Sequence, residues 1–163
     1  AAFCPDYYCF AVGDALFLAL NSETIYDASE VVGEDKRQLA FVADTLTSTQ
    51  MDAVRHIVVL MHRPLYVRPP GHTYSGHIVQ PPGRVALAAL LRSAGKPVTV
   101  FSGHLHQNRY VDAAPISQVS SGPIGFALRG ESGFRKVSVV GESVVHEYVP
   151  IATNDAMTSA PRG

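Results

Sequence analysis

The sequence has little excess charge of either sign and no long apolar run, and each shortage excludes a class of protein. Its 13 lysines and arginines nearly balance its 14 aspartates and glutamates, which gives a formal net charge of −1. Because nucleic-acid surfaces usually require a basic excess, we expect no nucleic-acid partner. No apolar stretch approaches the ~18 residues that a membrane-spanning helix requires, so we expect no membrane partner either.

Cysteines are also scarce, since Cys4 and Cys9 are the only two in the chain. Two are too few for a disulfide framework, and they lack a Cys-x-x-Cys spacing. We therefore interpret them as reduced, packed thiols, which favours a cytoplasmic protein. The first ten residues contain neither a basic segment nor a clean apolar one, so they do not resemble a signal peptide.

The composition is nevertheless that of a folded chain, with 47% hydrophobic and 17% charged residues. The length of 163 residues is that of one domain or a large piece of one. We predict that this unit covers residues 1–152 and that residues 153–163, which are small and polar, form a mobile tail.

Apolar runs separated by turn residues predict an α/β fold. Residues 7–20 are expected to form a β-hairpin whose second strand lies inside a larger sheet. Two further buried strands are predicted over residues 57–61 and 98–101. Helices are predicted over residues 34–49 and 84–93, where apolar residues recur at helical spacing.

The connecting segments predict loops and further strands. We interpret residues 21–33 as a loop, and residues 66–83, with four prolines and three glycines, as a long irregular loop of the kind that usually carries function. Four short strands are predicted in the last third of the chain, over residues 118–120, 125–128, 135–140 and 143–149. In such α/β sheets, ligands bind beyond the carboxyl ends of the strands.

Histidines follow two of the predicted inner strands at that position. His62 comes directly after one strand, and His104 and His106 follow another across a Ser-Gly turn. Neutral imidazole is a good ligand for Zn, Mn or Fe. A single histidine at a strand end is more often a hydrogen-bonded structural residue, but a Gly-His-x-His pattern joined to an upstream His-x-Pro is more specific. The residues alone leave a metal or catalytic site and a structural role both open.

Two motifs resemble a known family. Met61-His62-Arg63-Pro64 and Phe101-Ser102-Gly103-His104-Leu105-His106 resemble the last two metal-binding motifs of the calcineurin-like metallophosphoesterases. The branch they resemble is the cytosolic Ser/Thr phosphatases, which have purple-acid-phosphatase-like and cyclic-nucleotide phosphodiesterase relatives. The flanking segments are also similar, so the resemblance covers most of residues 7–150.

The resemblance implies a fold, a metal centre and a reaction. The fold would be the C-terminal part of a four-layer αββα sandwich that holds two divalent or trivalent ions (Mn, Fe or Zn) about 3.5 Å apart. His62 and His104 would bind one ion and His106 the other, with Arg63 beside them to bind the substrate phosphate. The implied reaction is hydrolysis of phosphate monoesters, phosphoproteins among them. Two alternatives stay open: a cyclic-nucleotide or other diester phosphodiesterase, and a degenerate, non-catalytic interaction module.

The sequence departs from the family in one large respect. The upstream motifs Asp-x-His, Gly-Asp and Gly-Asn-His do not occur before residue 7, and Gly13-Asp14 lies in the predicted hairpin turn, so no catalytic residue is assigned. We therefore expect the N-terminal half of the same domain to be supplied elsewhere or to have been lost. Because three imidazoles without carboxylates are poor ligands for two hard ions, we expect this polypeptide alone to be inactive, or to bind at most one Zn-like ion weakly.

Other polar residues receive weaker predictions. We expect His56 and His146 to be structural. Asn108 either orients His106 or serves a turn, and Asn21 either points toward the site or serves a turn. Arg68 could bind a substrate phosphate or phosphopeptide, as Arg63 could, but it is more readily explained as a solvated loop arginine. Candidates for the rim of the pocket are Tyr66, His72, Tyr74 and His77.

Overall fold

The computed structural model describes residues 5–70, 76–141 and 143–151. Cys4, His72, Tyr74 and the predicted tail over residues 153–163 lie outside the described residues. Within the described ranges, no helix has the length and apolar character needed to cross a bilayer.

A six-stranded mixed sheet forms the centre of the fold, in the order β1-β2-β3-β4-β6-β5. Strands β2, β3, β4 and β6 are parallel, and the two edge strands are antiparallel to their neighbours. The predicted hairpin and both predicted inner strands are therefore confirmed. The strands are Tyr8–Val12 (β1), Ala15–Ala19 (β2), His56–Met61 (β3), Val98–Ser102 (β4), Arg109–Ala113 (β5) and Ile116–Ser120 (β6).

In the described part of the chain, three helices accompany this sheet: Ser22–Tyr26 (α1), Glu34–Thr47 (α2) and Gly83–Ser93 (α3), with a 3-10 turn at Thr49–Asp52. The two longer helices confirm the helical periodicity of the sequence. Their apolar stripes pack on one face of the sheet, so that helix residues such as Val42 and strand residues such as Leu18 share one buried core.

A second, two-stranded sheet partly covers the other face. It is the hairpin formed by Gly133–Val140 (β7) and Ser143–Pro150 (β8). Val144 of this hairpin packs against a small core made by Val58, Phe101 and Val119 of the central sheet. The layers are therefore helices, a six-stranded sheet and a β-hairpin.

Two predicted segments are wrong in part. The segment 21–33 is not entirely a loop, because the Asn21 side chain accepts hydrogen bonds from the main-chain N atoms of Glu23 and Thr24 and so caps α1. A five-residue helix is too short to show a periodic pattern. The run 125–128 is not a strand: it lies in a loop with the side chains of Phe126 and Leu128 exposed.

Candidate metal centre

The candidate site lies where two neighbouring strands end. Strands β3 and β4 are parallel and adjacent, with Met61 opposite Ser102 at their carboxyl ends. His62 follows β3 directly, and the main-chain N of Gly103 donates to the His62 carbonyl oxygen over 3.0 Å. This backbone contact brings the segment that follows β4 alongside His62, as the topology of a parallel sheet predicts.

The rings of His62 and His104 meet at this edge. His104 Nδ1 lies 3.0 Å from His62 Nε2, and the ring centroids are 4.9 Å apart at an interplanar angle of 81°. Two imidazoles that bind one ion at ~2.0–2.1 Å hold their ligand nitrogens about 3 Å apart. The separation of these two nitrogens therefore fits a shared cation. The two convergent rings are the feature on which the site depends.

The loop that carries the histidines has an unusual backbone. His104 and His106 adopt left-handed φ values of 63° and 51°, and the main-chain N of Leu105 donates to the Gly103 carbonyl oxygen over 2.7 Å. A left-handed conformation costs a non-glycine residue roughly 1–2 kcal/mol. Such conformations cluster at functional sites, where the surrounding structure holds them in place.

His106 is anchored by a different contact. Its Nδ1 donates to the main-chain carbonyl oxygen of Phe126 over 2.9 Å, and its own carbonyl oxygen accepts from the main-chain N of Leu128 over 3.0 Å. Because a carbonyl only accepts, Nδ1 carries the proton, and Nε2 presents a lone pair. A histidine that donates one ring nitrogen to a backbone carbonyl in this way is typical of metal ligands.

Arg63 links the site to α1. Its Nε lies 2.9 Å from both carboxylate oxygens of Glu23, and its guanidinium lies 4.1 Å from the centre of the Tyr26 ring. Its Nη1 lies 3.2 Å from His104 Nε2, and its main-chain N donates to the Ser22 hydroxyl over 2.8 Å. Arg63 thus lies beside His104, and Glu23 and Tyr26 fix its direction; its role in binding phosphate stays a prediction.

The electrostatic surroundings favour a neutral imidazole at His104. Burial lowers the pKa of His104, the nearby charges of Arg63 and His62 lower it further, and Glu23 partly opposes them. A histidine must be deprotonated on the binding nitrogen before it can bind a metal ion. The lowered pKa therefore keeps this ring in the form suited to a ligand.

Two buried glutamines fix the segments that carry the site, and neither was predicted from the sequence. Gln38 of α2 donates to the Asn21 carbonyl oxygen over 3.0 Å and to the Thr24 hydroxyl over 2.8 Å, which fixes α1. Gln118 of β6 accepts from the main-chain N of Leu65 over 2.8 Å, just after the His62 motif. The only signal in the sequence is an isolated amide inside an apolar pattern.

The remaining candidates lie in different places. His77 lies beside the site, with its ring centroid 5.8 Å from that of His104, and Arg68 is exposed. Tyr66 was predicted at the rim, but it is buried in the core, and its hydroxyl accepts from Arg92 over 3.0 Å. Asn21 serves as a helix cap.

Both histidines that were predicted to be structural make contacts away from the metal centre. His56 Nε2 is hydrogen-bonded to the Thr99 hydroxyl over 2.9 Å, and His146 stacks edge-on against Phe101 with ring centroids 5.2 Å apart. Asn108 does not serve the site directly: its side chain accepts from Arg135 over 2.8 Å and from the main-chain N of Gly122 over 3.1 Å. This contact ties the loop after β4 to the segment after β6.

Across the residues that the structure describes, no group of three or more histidine, cysteine, aspartate or glutamate side chains is arranged to hold a metal ion. The fit to a cation is therefore partial. His62 and His104 supply two nitrogens of the borderline type that Zn²⁺ and related ions accept, and a complete site requires further ligands.

The architecture matches a fold known from solved structures. The mixed α/β sheet corresponds to the C-terminal part of a metallophosphoesterase fold. It is similar to the purple acid phosphatase PPD1 of yellow lupin (Lupinus luteus), with a TM-score of 0.61 and 18% identity over 88% of this chain and 30% of that one. It is also similar to GAP50, the anchor in the inner membrane complex of Plasmodium, with a TM-score of 0.56 and 15% identity over 78% and 39%. At these identities the likeness is one of fold.

Sequence comparison identifies the relatives within that class. The chain is 33% identical over 144 residues to the serine/threonine-protein phosphatase CPPED1 of Rattus norvegicus, which covers 88% of this chain and 46% of the relative. The Homo sapiens protein of that name is 32% identical over 145 residues, with the same shares covered. No protein-family model matches the chain. The chain is homologous to the C-terminal part of CPPED1 over 88% of its own length, and it spans about half the length of the curated relatives it matches.

Proposed function

We propose that the complete protein hydrolyses phosphate monoesters, phosphoproteins among them, at a centre of two metal ions. This chain would supply His62 and His104 to one ion and His106 to the other, and an N-terminal half of the same domain would supply the remaining ligands. The observation that carries the proposal is the 3.0 Å approach of His104 Nδ1 to His62 Nε2, which matches two ligands of one cation.

The relatives support the same reaction. The proteins similar to this chain in sequence are named serine/threonine-protein phosphatases, and one protein similar in fold is a purple acid phosphatase. The relatives in sequence are about twice as long as the chain, which agrees with a centre completed by residues outside it. The free thiol of Cys9 agrees with the cytoplasmic location that we propose on the basis of the sequence.

The histidines and Arg63 of this chain would have different roles in the reaction. The metal ions, when bound, supply the positive charge that polarises a phosphoryl oxygen and stabilises the charge that develops in the transition state. His62, His104 and His106 hold those ions in place through their ring nitrogens. Arg63, held by Glu23 and Tyr26, places a guanidinium beside them, where it can pair with a phosphate oxygen.

The test uses the complete protein with Mn²⁺ and two substrates, p-nitrophenyl phosphate and its bis ester. We expect turnover of the monoester, which His104→Ala abolishes and His56→Ala leaves intact, because His56 is bonded to Thr99 and not to the site. Preferential turnover of the bis ester would replace the proposal with a diester phosphodiesterase. A complete protein that binds no cation and turns over neither substrate would be a non-catalytic interaction module.

The division of the site between two halves has its own test. The purified 163-residue chain should show no phosphatase turnover above background with Mn²⁺ or Zn²⁺, because among the described residues no carboxylate joins the imidazoles in a group that could hold a metal ion. Turnover by this chain alone, lost in His62→Ala, would contradict the proposal that the N-terminal half completes the centre.

A further inference from the structure

Ile124, Phe126 and Leu128 form an apolar loop beside the candidate centre, which we name the apolar rim. We propose that the apolar rim binds an apolar side chain of a protein or peptide substrate, one or two residues from the phosphorylated residue. This inference rests on the proposed function and adds to it a substrate class: phosphoproteins with an apolar residue next to the phosphate.

The residues of the apolar rim are largely exposed. Ile124, Phe126 and Leu128 are 70%, 72% and 65% exposed, within a segment of five residues. Removal of apolar surface from water is worth about 25 cal/mol per Å². Three exposed apolar side chains within one short segment add up to apolar surface that gains from being covered, whereas single exposed apolar residues are common on proteins.

The backbone of the same loop is firmly held. Its two contacts with His106 join the Phe126 carbonyl oxygen to the ring and the Leu128 main-chain N to the His106 carbonyl oxygen, over 2.9 and 3.0 Å. On the far side, the Ser132 hydroxyl donates to the Gly125 carbonyl oxygen, and the main-chain N of Gly133 donates to the Pro123 carbonyl oxygen over 3.0 Å. The loop is thus fixed through its main chain while its apolar side chains face solvent.

A cavity of about 280 Å³ opens beside Phe126, the one residue of the apolar rim that lines it. At ~30 Å³ per water molecule, it has room for about nine waters, which is enough for one side chain of the size of leucine or phenylalanine. Glu131 also lines the cavity, so an acidic side chain would be repelled from it. The lining residues are Gly125, Phe126, Ala127, Gly130, Glu131, Ser132 and Ile151.

The cavity and the candidate metal centre are connected through one residue. Phe126 lines the cavity, and its carbonyl oxygen is bonded to the ring of His106, a candidate ligand. An extended peptide advances ~3.3–3.6 Å per residue, so a side chain one or two positions from the phosphorylated residue reaches about 7 Å from it. The loop that carries the apolar rim is bonded directly to His106, so on this proposal a peptide whose phosphate lies at the histidines places a neighbouring side chain on the apolar rim. This continuity with the centre favours substrate over another occupant.

The experiment measures kcat/KM of the complete, Mn²⁺-loaded protein for three phosphopeptides that differ at the residue after the phosphoserine: leucine, alanine or glutamate. We expect the order leucine, alanine, glutamate, with leucine at least about fivefold above alanine. In Phe126→Ala and Leu128→Ala, the ratio of leucine to alanine should approach one. The matched control is Val140→Ala, since Val140 is an exposed apolar residue (61%) at the opposite end of β7, and its ratio should equal that of the parent protein.

Each result has a definite meaning. Turnover of p-nitrophenyl phosphate with equal kcat/KM for the three peptides overturns this inference and leaves the proposed function standing, whereas no turnover of p-nitrophenyl phosphate overturns the proposed function itself. A fall in Tm of several degrees in Phe126→Ala and Leu128→Ala, with an unchanged peptide ratio, would show that these side chains pack against another part of the complete protein. That result also overturns the inference.

Discussion

The two faces of the central sheet differ in how they are covered. On the helical face, α2 and α3 bury a continuous core that includes Leu18, Val42 and Leu91, each fully buried. On the other face, the β7–β8 hairpin buries a core of three residues, Val58, Phe101 and Val119. Further out on the same sheet, Phe10 of the edge strand is 41% exposed and stacks on Phe17, with ring centroids 4.9 Å apart.

The helical face holds most of the site in place. On that face Gln38 fixes α1, and α1 in turn fixes Arg63 through Ser22 and Glu23. The hairpin face contributes the loop that anchors His106. We therefore expect substitutions on the helical face to unfold the chain and those on the hairpin face to have smaller effects on stability.

The largest effect should come from the helical core, tested by a matched pair of substitutions. Leu18→Ala removes a fully buried side chain under the helices and should lower the free energy of unfolding by about 3–5 kcal/mol through lost burial and a residual cavity. Leu60→Ala removes a half-buried side chain that packs against the hairpin core and should cost about 1–2 kcal/mol, since less surface is involved. Urea unfolding monitored by circular dichroism measures both. Equal losses would show that the hairpin face is as tightly packed as the helical one.

A second substitution separates polar support from apolar packing on the helical face. Gln38→Leu should cost about 1–3 kcal/mol, because it leaves the main-chain groups of Asn21 and the Thr24 hydroxyl without their buried partner. Gln50→Leu changes the same chemistry at an exposed position and is the control, with a change within about 0.5 kcal/mol. If the two variants unfold at the same urea concentration, the glutamine does not support α1.

These comparisons also explain how far the sequence could predict the structure. The apolar runs of β3 and β4 identify buried parallel strands, and neighbouring parallel strands bring their following residues to one edge, so the meeting of His62 and His104 could be foreseen. The contact of Glu23 with Arg63 could not, because it spans 40 residues and depends on a helix of five. Local pattern contains no information about such a distant pair.

At the apolar rim, by contrast, the local pattern was clear but the strand predicted from it was wrong. The run 125–128 has the composition of a strand, and period and propensity alone favour that reading. The tertiary structure instead holds its backbone on His106 and leaves its side chains exposed. Burial is decided by what lies across from a segment, which a single sequence does not show.

The smallest expected effect is the part of the pH dependence of stability that His56 and His146 contribute. Burial lowers the pKa of His56 and of His146, and the charge of Arg135 lowers that of His146 further. The unfolded chain, with histidine pKa near ~6.5, therefore binds protons more readily than the folded one as the pH falls. Stability should be full above pH ~6.5 and decline on acidification through the lowered folded-state pKa values. Urea midpoints at pH 7.5 and 5.5 measure the decline.

The variant with both His56→Gln and His146→Gln provides the control for that pH dependence. Its urea midpoint should change less between the two pH values, since two groups that titrate differently in the folded and unfolded states have been removed. An unchanged slope would assign the pH dependence to other groups.

The measurement that tests the central claim most directly is calorimetric titration of the chain with Zn²⁺ at pH 7.5. Because His62 Nε2 and His104 Nδ1 lie 3.0 Å apart, we predict saturable binding of one ion that weakens at least about 100-fold, or about 2.7 kcal/mol, in His62→Ala and in His104→Ala. His56→Ala, away from this pair, should bind as the parent chain does. Equal Zn²⁺ affinity in the parent chain, His62→Ala and His104→Ala would contradict the assignment of these two residues as ligands of one cation.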